Sequence, residues 1–308
     1  MLSAVPPSAP PHAGDKPAVI SISSHVARGT VGNRAVVFAL ESLGHPVWSV
    51  PTVTLPWHPG HGPSTRLVPD EAGFAGFVSD LCEAPWLGEV GAVITGYFGA
   101  PSQVAHAARL VDAVKRRNPA AVFLCDPVVG DGAAGGEGAA RLYQPEATLH
   151  AIRDELIRRA DMATPNRFEL ELLTGLEFSD NRHLVEAASA LGPARVVVTS
   201  AFPLLRGGIG NLLVEGETTL LAEHRRIERV PHGLGDLTGA VFLARILAGA
   251  SSEKALQSTT AAVFEILART TKRGADELTL ETDADVLRSP LAMVQMRRLA
   301  PAGGGLRA

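Results

Sequence analysis

The sequence predicts an α/β fold with a doubly wound, mostly parallel central sheet flanked by helices. Short apolar runs alternate with segments of helical spacing along most of the chain, which is the pattern of proteins built on a parallel sheet. Polar residues follow several of these apolar runs directly, and ligands of such sheets bind beyond the carboxyl ends of the strands. We therefore expect a single domain over residues 17–292, with its binding site at one edge of the sheet.

Both ends of the 308-residue chain are expected to lie outside that domain. Residues 1–16 contain four prolines and no apolar run, which predicts a disordered leader rather than a signal peptide or a membrane anchor. Residues 293–308 include three consecutive glycines and predict a flexible C-terminal tail.

The composition is that of a soluble globular protein with a sizeable core, since 46% of the residues are hydrophobic and 19% are charged. The formal net charge is −4 and no long block of Lys or Arg occurs, which argues against nucleic acid and anionic membranes as partners. The two cysteines lie far apart without a Cys-x-x-Cys pattern, so neither a disulfide framework nor a zinc site is indicated. These features predict a cytoplasmic protein.

In the first half of the chain, one long loop stands out between the predicted elements. Four strands are predicted there, at 18–23, 46–50, 92–95 and 121–125. Three helices are predicted, over 35–43, over 71–81 and from residue 101. The loop over 52–66 carries Trp57, His58 and His61, and loops this long in compact domains are often functional.

Four polar residues lie just after the ends of predicted strands: Ser24, Tyr97, Asp126 and Asp131. Taken singly, each has a structural explanation, such as a helix-entry cap for Ser24 or a turn before proline for Asp126. Their coincidence at the carboxyl ends of strands in one sheet favours a shared binding site instead.

The second half of the chain supplies a further strand, a β-rich segment and two helices, at 196–200, 210–225, 253–271 and near 283–287. Thr199 and Ser200 place two hydroxyl groups at the exit of that strand. Upstream, Asn166 and Glu169 have the spacing of a capping box, in which each side chain bonds the backbone N–H of the other. A structural role at a helix start and a functional role near a metal-bound triphosphate are both open, and they do not exclude each other.

The stretch Gly233-Leu234-Gly235-Asp236 separates a charged run from an apolar run with helical spacing. This arrangement predicts a glycine turn that delivers Asp236 to a helix N-terminus, where unpaired amides and the helix dipole bind anions. An anion hole beside a carboxylate base is what phosphoryl transfer to an alcohol requires. The alternative is that Asp236 only caps the helix. The sequence has no Walker-type loop, so a nucleotide would be held in another way.

Together these motifs resemble those of pyridoxal kinases, in the ribokinase-like superfamily, over about residues 18–271. The matching blocks are Ser24-His25-Val26, Arg28-Gly29, Val31 to Ala35, Thr95-Gly96-Tyr97, Cys125 to Val128 with Gly130-Asp131, Gly136-Glu137-Gly138, Thr164-Pro165-Asn166 with Phe168-Glu169, Val198-Thr199-Ser200 and Gly233 to Asp236. The Ser-His-Val and Asp-Pro-Val blocks are the more specific ones, whereas Gly-x-Gly-Asp marks the superfamily only.

The resemblance implies an ATP-dependent kinase that phosphorylates the 5′-hydroxymethyl group of pyridoxal and related B6 vitamers, giving pyridoxal 5′-phosphate. Asp236 would be the general base on that hydroxyl, and Gly233 and Gly235 would form the anion hole. Ser24 would hydrogen-bond the pyridine ring and Tyr97 would pack against it. The residues implied to bind the vitamer are Ser24, His58, Pro59, Tyr97 and Asp236.

The resemblance further implies ATP as the phosphoryl donor, Mg²⁺, and a monovalent cation such as K⁺. The residues implied around the nucleotide are Asp126, Tyr143, Thr164, Glu169, Thr199, Ser200, Gly233 and Leu234. The residues implied for the metal are Asp126, Asp131, Thr164 and Glu169. The glycine-rich segment 130–145 is expected to be a flexible flap over the nucleotide, and the protein is expected to be a homodimer.

The chain departs from the family pattern in two loops. Family members usually carry His-Thr in the substrate loop, where this chain has His58-Pro59, and Pro59 offers neither a hydroxyl nor an N–H. The flap is a residue or two longer than usual and lacks the reactive cysteine of some members. The first departure leaves open a hydroxymethylpyrimidine-type kinase of the same superfamily. A B6-binding carrier without turnover is the other alternative, and the intact Asp236 argues against it.

Overall fold

A nine-stranded sheet forms the centre of the computed structural model, which describes residues 16–132 and 141–300. The strands are β1 (Ala18–Val26), β2 (Val47–Leu55), β3 (Val90–Thr95), β4 (Val122–Cys125), β5 (Gly130–Asp131), β6 (Arg141–Leu142), β7 (Met162–Ala163), β8 (Arg195–Ala201), β9 (Gly208–Glu215), β10 (Thr218–Arg225) and β11 (Gln295–Arg298). The helices are α1 (Asn33–Ser42), α2 (Glu71–Glu83), α3 (Ser102–Arg117), α4 (Glu146–Ala151), α5 (Arg167–Thr174), α6 (Asn181–Ala190), α7 (Leu234–Leu247), α8 (Ser252–Arg273) and α9 (Ala284–Arg288).

The order and direction of the strands confirm the predicted doubly wound, mostly parallel sheet. The strand order is β11-β10-β9-β8-β7-β4-β3-β1-β2, and β5 pairs with β6 in a separate two-stranded ribbon. Pairing is parallel from β2 across to β8 and antiparallel from β8 to β11. Every residue of β3 is buried, as expected of a central strand that is covered on both faces.

Two apolar clusters cover the two faces of the sheet. Alternate residues of β1 point to opposite faces, so Val19 belongs to the cluster with α1, α7 and α8, whereas Ile20 and Ile22 belong to the cluster with α2 and α3. The apolar face predicted for α3 is buried, and its members are Val104, Ala107, Ala108, Val111 and Val114. Because the helices cover the faces, the carboxyl ends of the central strands remain available for a site.

Two strands run further than the sequence predicted. β1 continues through Ser24, and β2 continues to Leu55, so the first residues of the loop expected over 52–66 are strand. Pro51 favours an early end to a strand because it has no N–H to donate. It is nevertheless accommodated in β2, which is an edge strand of the sheet, where such a missing donor is tolerated.

The expectation of a flexible tail over 293–308 is wrong for its first part, because Gln295–Arg298 form β11. This strand pairs antiparallel with β10, and Arg297 Nε donates to the fully buried carboxylate of Glu223 at 2.7 Å. A charged edge strand has no alternation of buried residues, so its sequence gives no strand signal.

Other expectations fall outside the described residues. Residues 1–15 make up nearly all of the expected leader, 133–140 the centre of the expected flap, and 301–308 the end of the expected tail. Within the described ranges, no helix is both long and apolar enough to cross a membrane.

Candidate active site

The candidate site lies where the carboxyl ends of β1, β3 and β4 meet the N-terminus of α7. Tyr97 and Asp126 follow β3 and β4 closely, as the sequence predicted. Ser24 differs, because it lies inside β1, at a register irregularity between Ser23 and His25, and is buried. Irregularities of this kind re-aim side chains next to binding sites, so the position of Ser24 remains compatible with a site at this edge.

Asp236 reaches the site from the first turn of α7. Gly233 precedes this helix with a φ of 95°, and a Cβ there would collide with the carbonyl oxygen of Thr30, so the turn requires glycine. Asp236 is the third residue of the helix, and its Oδ2 accepts the N–H of Gly32 at 2.9 Å. The capping alternative is therefore wrong, because the carboxylate binds the turn between β1 and α1 instead of its own helix.

The surroundings of Asp236 favour a proton acceptor. Desolvation raises the pKa of this carboxyl to about 6, although the N–H of Gly32 acts in the opposite direction. Its second oxygen, Oδ1, lies 3.8 Å from the place that a Cβ on Gly96 would occupy, at the end of β3. A carboxylate with this pKa, at the carboxyl end of β3, suits a general base.

Asp126 lies near Asp236, and a further carboxyl group and a hydroxyl lie near Asp126. Burial, together with the negative charges of Glu169 and Asp236, raises the pKa of Asp126 well above its ordinary value. Burial likewise raises the pKa of Glu169 to about 7. The buried hydroxyl of Thr164 is near enough to Asp126 to lower that pKa, yet it makes no hydrogen bond of good geometry within the described residues. A bound cation would relieve both the mutual repulsion and the unsatisfied hydroxyl.

Asn166 and Glu169 form the predicted capping box at the start of α5. Asn166 Oδ1 accepts the N–H of Glu169 at 2.8 Å, and Glu169 Oε2 accepts the N–H of Asn166 at 2.9 Å. Glu169 Oε1 also accepts the N–H of Val129 at 2.8 Å, and Asn166 Nδ2 donates to the carbonyl of Gly130 at 2.9 Å. The structural interpretation is thus confirmed, and the same pair fixes the loop that follows Asp126.

Two non-glycine residues near this cluster adopt the left-handed backbone region, Val128 with a φ of 45° and Ser200 with a φ of 56°. Such conformations cost about 1–3 kcal/mol each and cluster at ligand-binding sites; for a β-branched residue they are outliers. Ser200 lies where the register between β8 and β9 shifts, and the N–H of Thr199 donates to the carbonyl of Pro165 at 2.9 Å. Both hydroxyl residues therefore lie close to the segment that carries Asn166.

Tyr97 connects the sheet edge to the base of the expected flap. Its ring packs against a small apolar cluster of Val26, Val31, Val53 and Leu55. Its hydroxyl accepts a hydrogen bond from Nη2 of Arg66 at 3.0 Å. The same hydroxyl donates a long hydrogen bond of 3.4 Å to the carbonyl of Tyr143. Asp131, by contrast, is exposed in the β5–β6 ribbon, so it lies at the rim of the site rather than among the buried carboxyl groups.

Three histidines meet at the loop that the resemblance implies to be the substrate loop. Pro59–His61 form a single 3₁₀ turn, and the N–H of Gly60 donates to Nδ1 of His58 at 3.0 Å. His232, directly before Gly233, stacks on His58 with ring centroids 3.8 Å apart. Burial lowers the pKa of His58 to about 4, with help from the neighbouring His232, so this imidazole is neutral at pH 7.

Sequence reasoning missed three residues that contact the site: Arg66, His232 and Glu277. Nε2 of His61 lies 2.8 Å from Oε1 of Glu277, although 216 positions separate these residues in the chain. A signal was available for His232, which directly precedes the glycine motif. Glu277 lies in a charged segment after α8 that matches no motif, and Arg66 lies in a long loop.

Comparison with known proteins identifies relatives along most of the chain. A family model described as phosphomethylpyrimidine kinase matches residues 88–281. The chain is 36% identical over 294 residues to a pyridoxal kinase of Rubrobacter xylanophilus. This alignment covers 92% of this chain and 97% of the relative. It is 34% identical over 288 residues to a pyridoxal kinase of Leifsonia xyli, with 91% and 99% covered. The solved structure of a pyridoxal kinase from Leishmania donovani in complex with ADP and pyridoxamine matches with a TM-score of 0.83 at 28% identity, covering 91% of this chain and 99% of that chain.

Proposed function

The chain belongs to the pyridoxal kinase family, and on that premise we propose that it transfers the γ-phosphoryl group of ATP to the 5′-hydroxymethyl group of pyridoxal and related B6 vitamers. The products are pyridoxal 5′-phosphate and ADP. The observation that carries the proposal is Asp236, a partly buried carboxylate with a pKa of about 6 at the N-terminal turn of a helix.

The mechanism assigns a separate task to each part of the turn. Asp236 would take the proton of the vitamer hydroxyl as the new oxygen–phosphorus bond forms and the bond from the γ-phosphorus to the bridging oxygen breaks. The amides of Gly233, Leu234 and Gly235 would stabilise the negative charge on the transferred group, because amides of a first helical turn have no partner within the helix. ADP leaves with the bridging oxygen.

Three residues beside the phosphates, and a fourth at the rim of the site, fit a divalent cation. Within residues 16–132 and 141–300, no group of three or more His, Cys, Asp or Glu side chains is arranged to hold a metal by itself. Mg²⁺ commonly keeps waters and substrate phosphates as ligands and needs few from the protein. Asp126 and Glu169, with pKa values raised by burial, and the unsatisfied hydroxyl of Thr164 would supply these few, with Asp131 at the rim. The cation would neutralise phosphate charge.

The remaining assignments rest on the family resemblance together with position. Ser24, Tyr97 and the loop at His58 and Pro59 would bind the vitamer, and Tyr143, Thr199 and Ser200 would line the nucleotide. A monovalent cation such as K⁺ and a homodimeric state are proposed from the resemblance alone, and a cytoplasmic location is proposed from the composition and the cysteine pattern.

Pro59 leaves open one competing substrate, a hydroxymethylpyrimidine, and the matching family model is described as that of a kinase for a related pyrimidine, phosphomethylpyrimidine. A coupled assay of ADP release decides between a B6 vitamer and a hydroxymethylpyrimidine as the substrate. The assay uses purified protein, MgATP, and a panel of pyridoxal, pyridoxine, pyridoxamine and hydroxymethylpyrimidine. We expect the highest kcat/KM with a B6 vitamer. A preference for the pyrimidine would reassign the substrate. Binding of vitamers without ADP release would mean that the protein is a B6-binding carrier without turnover.

A further inference from the structure

A carboxylate outside the glycine motif joins two loops that border the candidate site. Glu277 follows α8 in the sequence, and its side chain is only 14% exposed. Its Oε2 accepts the N–H of Thr30 at 3.2 Å, and its Oε1 lies 2.8 Å from Nε2 of His61 in the substrate loop. One side chain thus binds the β1–α1 turn and the substrate loop at once.

From Thr30, the contacts lead directly to the turn that carries Asp236. The hydroxyl of Thr30 accepts the N–H of Leu278 at 3.1 Å, which attaches the β1–α1 turn a second time to the segment after α8. The carbonyl of Thr30 packs so closely on Gly233 that no side chain fits there. Two residues after Thr30, the N–H of Gly32 binds the carboxylate of Asp236. A displaced β1–α1 turn would therefore disturb both the anion hole and the base.

From His61, a second path reaches the same turn through aromatic rings. The His61 ring meets the His232 ring edge to face, with centroids 6.4 Å apart, and His232 stacks on His58. His232 is covalently followed by Gly233. Each of three segments, the substrate loop, the β1–α1 turn and the glycine turn, thus contacts the other two directly or through Glu277. Glu277 itself binds the substrate loop and the β1–α1 turn.

We infer that Glu277 is a positioning residue. By binding the N–H of Thr30 and the imidazole of His61, it fixes the position of the substrate loop relative to the turn that carries Asp236. The inference rests on the proposed function. Glu277 acts through these groups and is not itself placed at the reacting atoms. A carboxylate suits the task because each of its oxygens accepts from a different donor, whereas the amide of glutamine has one acceptor oxygen.

The neighbouring Asp276 provides a matched control. It is also acidic and follows the same helix, and it pairs with Arg28 at 2.7 Å, but its side chain is 61% exposed. We expect Glu277→Gln to raise KM for pyridoxal and to lower kcat, each roughly tenfold, because a misplaced substrate and base lose proximity. KM for ATP should change by less than about twofold, and Asp276→Asn should leave all three constants within about twofold because exposed ion pairs contribute little.

The path through the substrate loop is tested by His61→Gln, alone and combined with Glu277→Gln. His61→Gln should raise KM for pyridoxal while kcat is nearly kept, and the double variant should have the KM of Glu277→Gln, because two residues in one path are not additive. A Glu277→Gln protein that loses thermal stability but keeps both constants would overturn the inference. If Glu277→Gln does not fold, an unchanged KM in His61→Gln overturns it instead.

Wild-type turnover of pyridoxal in the same assay tests the proposed function separately. If the wild type turns over no vitamer, the same variants are compared by their Kd for pyridoxal, followed through the intrinsic tryptophan fluorescence, to which Trp57 in the substrate loop contributes. A weaker Kd in Glu277→Gln than in Asp276→Asn supports the inference, and equal values overturn it.

Discussion

The N–H of Gly32 donates a hydrogen bond of 2.9 Å to Oδ2 of Asp236, although 204 positions separate the two residues in the chain. The bond orients the carboxylate, so that its other oxygen lies on the side of Gly96, at the end of β3, where the side chain of Ser23 also approaches. It also opposes the effect of burial on the pKa of Asp236, because an N–H donor favours the ionised form. The carboxyl group is therefore ionised at neutral pH and still basic enough to accept a proton.

Asp236→Asn should lower kcat by about 10²–10⁴, the usual effect of removing a general base. Asparagine keeps the size and can still accept the N–H of Gly32. The Tm at pH 7.5 should stay equal or rise, because burial disfavours the ionised carboxylate that asparagine replaces, as the raised pKa indicates. ATP affinity should hold or improve. The exposed Asp80→Asn serves as control, and near-wild-type turnover at saturating vitamer would remove Asp236 from its role.

The pH dependence of the wild type should show the ionisation of Asp236. A base acts only when unprotonated, and its pKa of about 6 means that kcat/KM should be level above that pH and fall as the pH drops below it. ATP and the vitamer ionise as well, so the residual activity of Asp236→Asn is measured over the same range. The acidic limb should be lost in the variant. If both proteins show the same decline at acidic pH, the decline is caused by ionisation of the substrates and not of Asp236.

Pro59→Thr should lower KM for pyridoxal about fivefold, because a hydroxyl at this position can supply one neutral hydrogen bond of about 1 kcal/mol. Pro59 opens the turn Pro59–His61, and the N–H of Gly60 remains satisfied by His58, so the turn should persist in the variant. The exposed Pro63→Thr, in the same loop, controls for the loss of a proline. A KM that rises or stays unchanged would mean that this loop does not contact the pyridine ring as proposed.

Thr164→Val should raise the Mg²⁺ concentration needed for half-maximal activity several-fold, since it removes an oxygen ligand proposed for the cation. Valine has the same shape, and the buried hydroxyl makes no hydrogen bond of good geometry in the described structure, so the Tm should not fall. Thr259→Val in α8 is a matched control, because its hydroxyl is also buried and unsatisfied among the described residues. Equal Mg²⁺ dependence in the two variants would exclude Thr164 as a ligand.

The parts of this protein that were predicted correctly are those encoded in short stretches of sequence. The glycine turn that begins α7, the capping box of Asn166 and Glu169, and the apolar face of α3 depend on spacing within a few residues. The parallel sheet follows from the alternation of strands and helices. That alternation also placed Tyr97 and Asp126 just after the carboxyl ends of their strands, β3 and β4.

The parts that were missed depend on packing between distant segments. Glu277 contacts His61 only because α8 returns the chain to the substrate loop, and no local pattern encodes that contact. His232 directly precedes the glycine motif, but its stacking partner His58 lies in another loop, so the sequence does not show the contact between them. Ser24 was placed after β1 instead of within it, because a register irregularity in a strand leaves no mark in the apolar pattern.

The C-terminal strand β11 should stabilise the protein through Arg297. Its Nε donates to Glu223 Oε2 at 2.7 Å, while Oε1 of Glu223 accepts the N–H groups of Leu204 and Leu205 at 2.5 and 2.8 Å. Arg297→Met keeps the apolar stem and removes the charged donor, so the buried carboxylate loses one of its partners. The free energy of unfolding should fall by about 1–3 kcal/mol, measured by urea denaturation.

Two further variants isolate the ion pair between Arg297 and Glu223. Arg298→Met removes an exposed arginine of the same strand, 3.7 Å from Glu253, and should change the unfolding free energy by less than about 0.5 kcal/mol. Adding Glu223→Gln to Arg297→Met should recover part of the loss, because a neutral amide still accepts an N–H but carries no unpaired charge into the interior. If Arg297→Met costs no more than Arg298→Met, β11 is held by its backbone ladder alone, and the carboxylate of Glu223 is satisfied by Leu204 and Leu205.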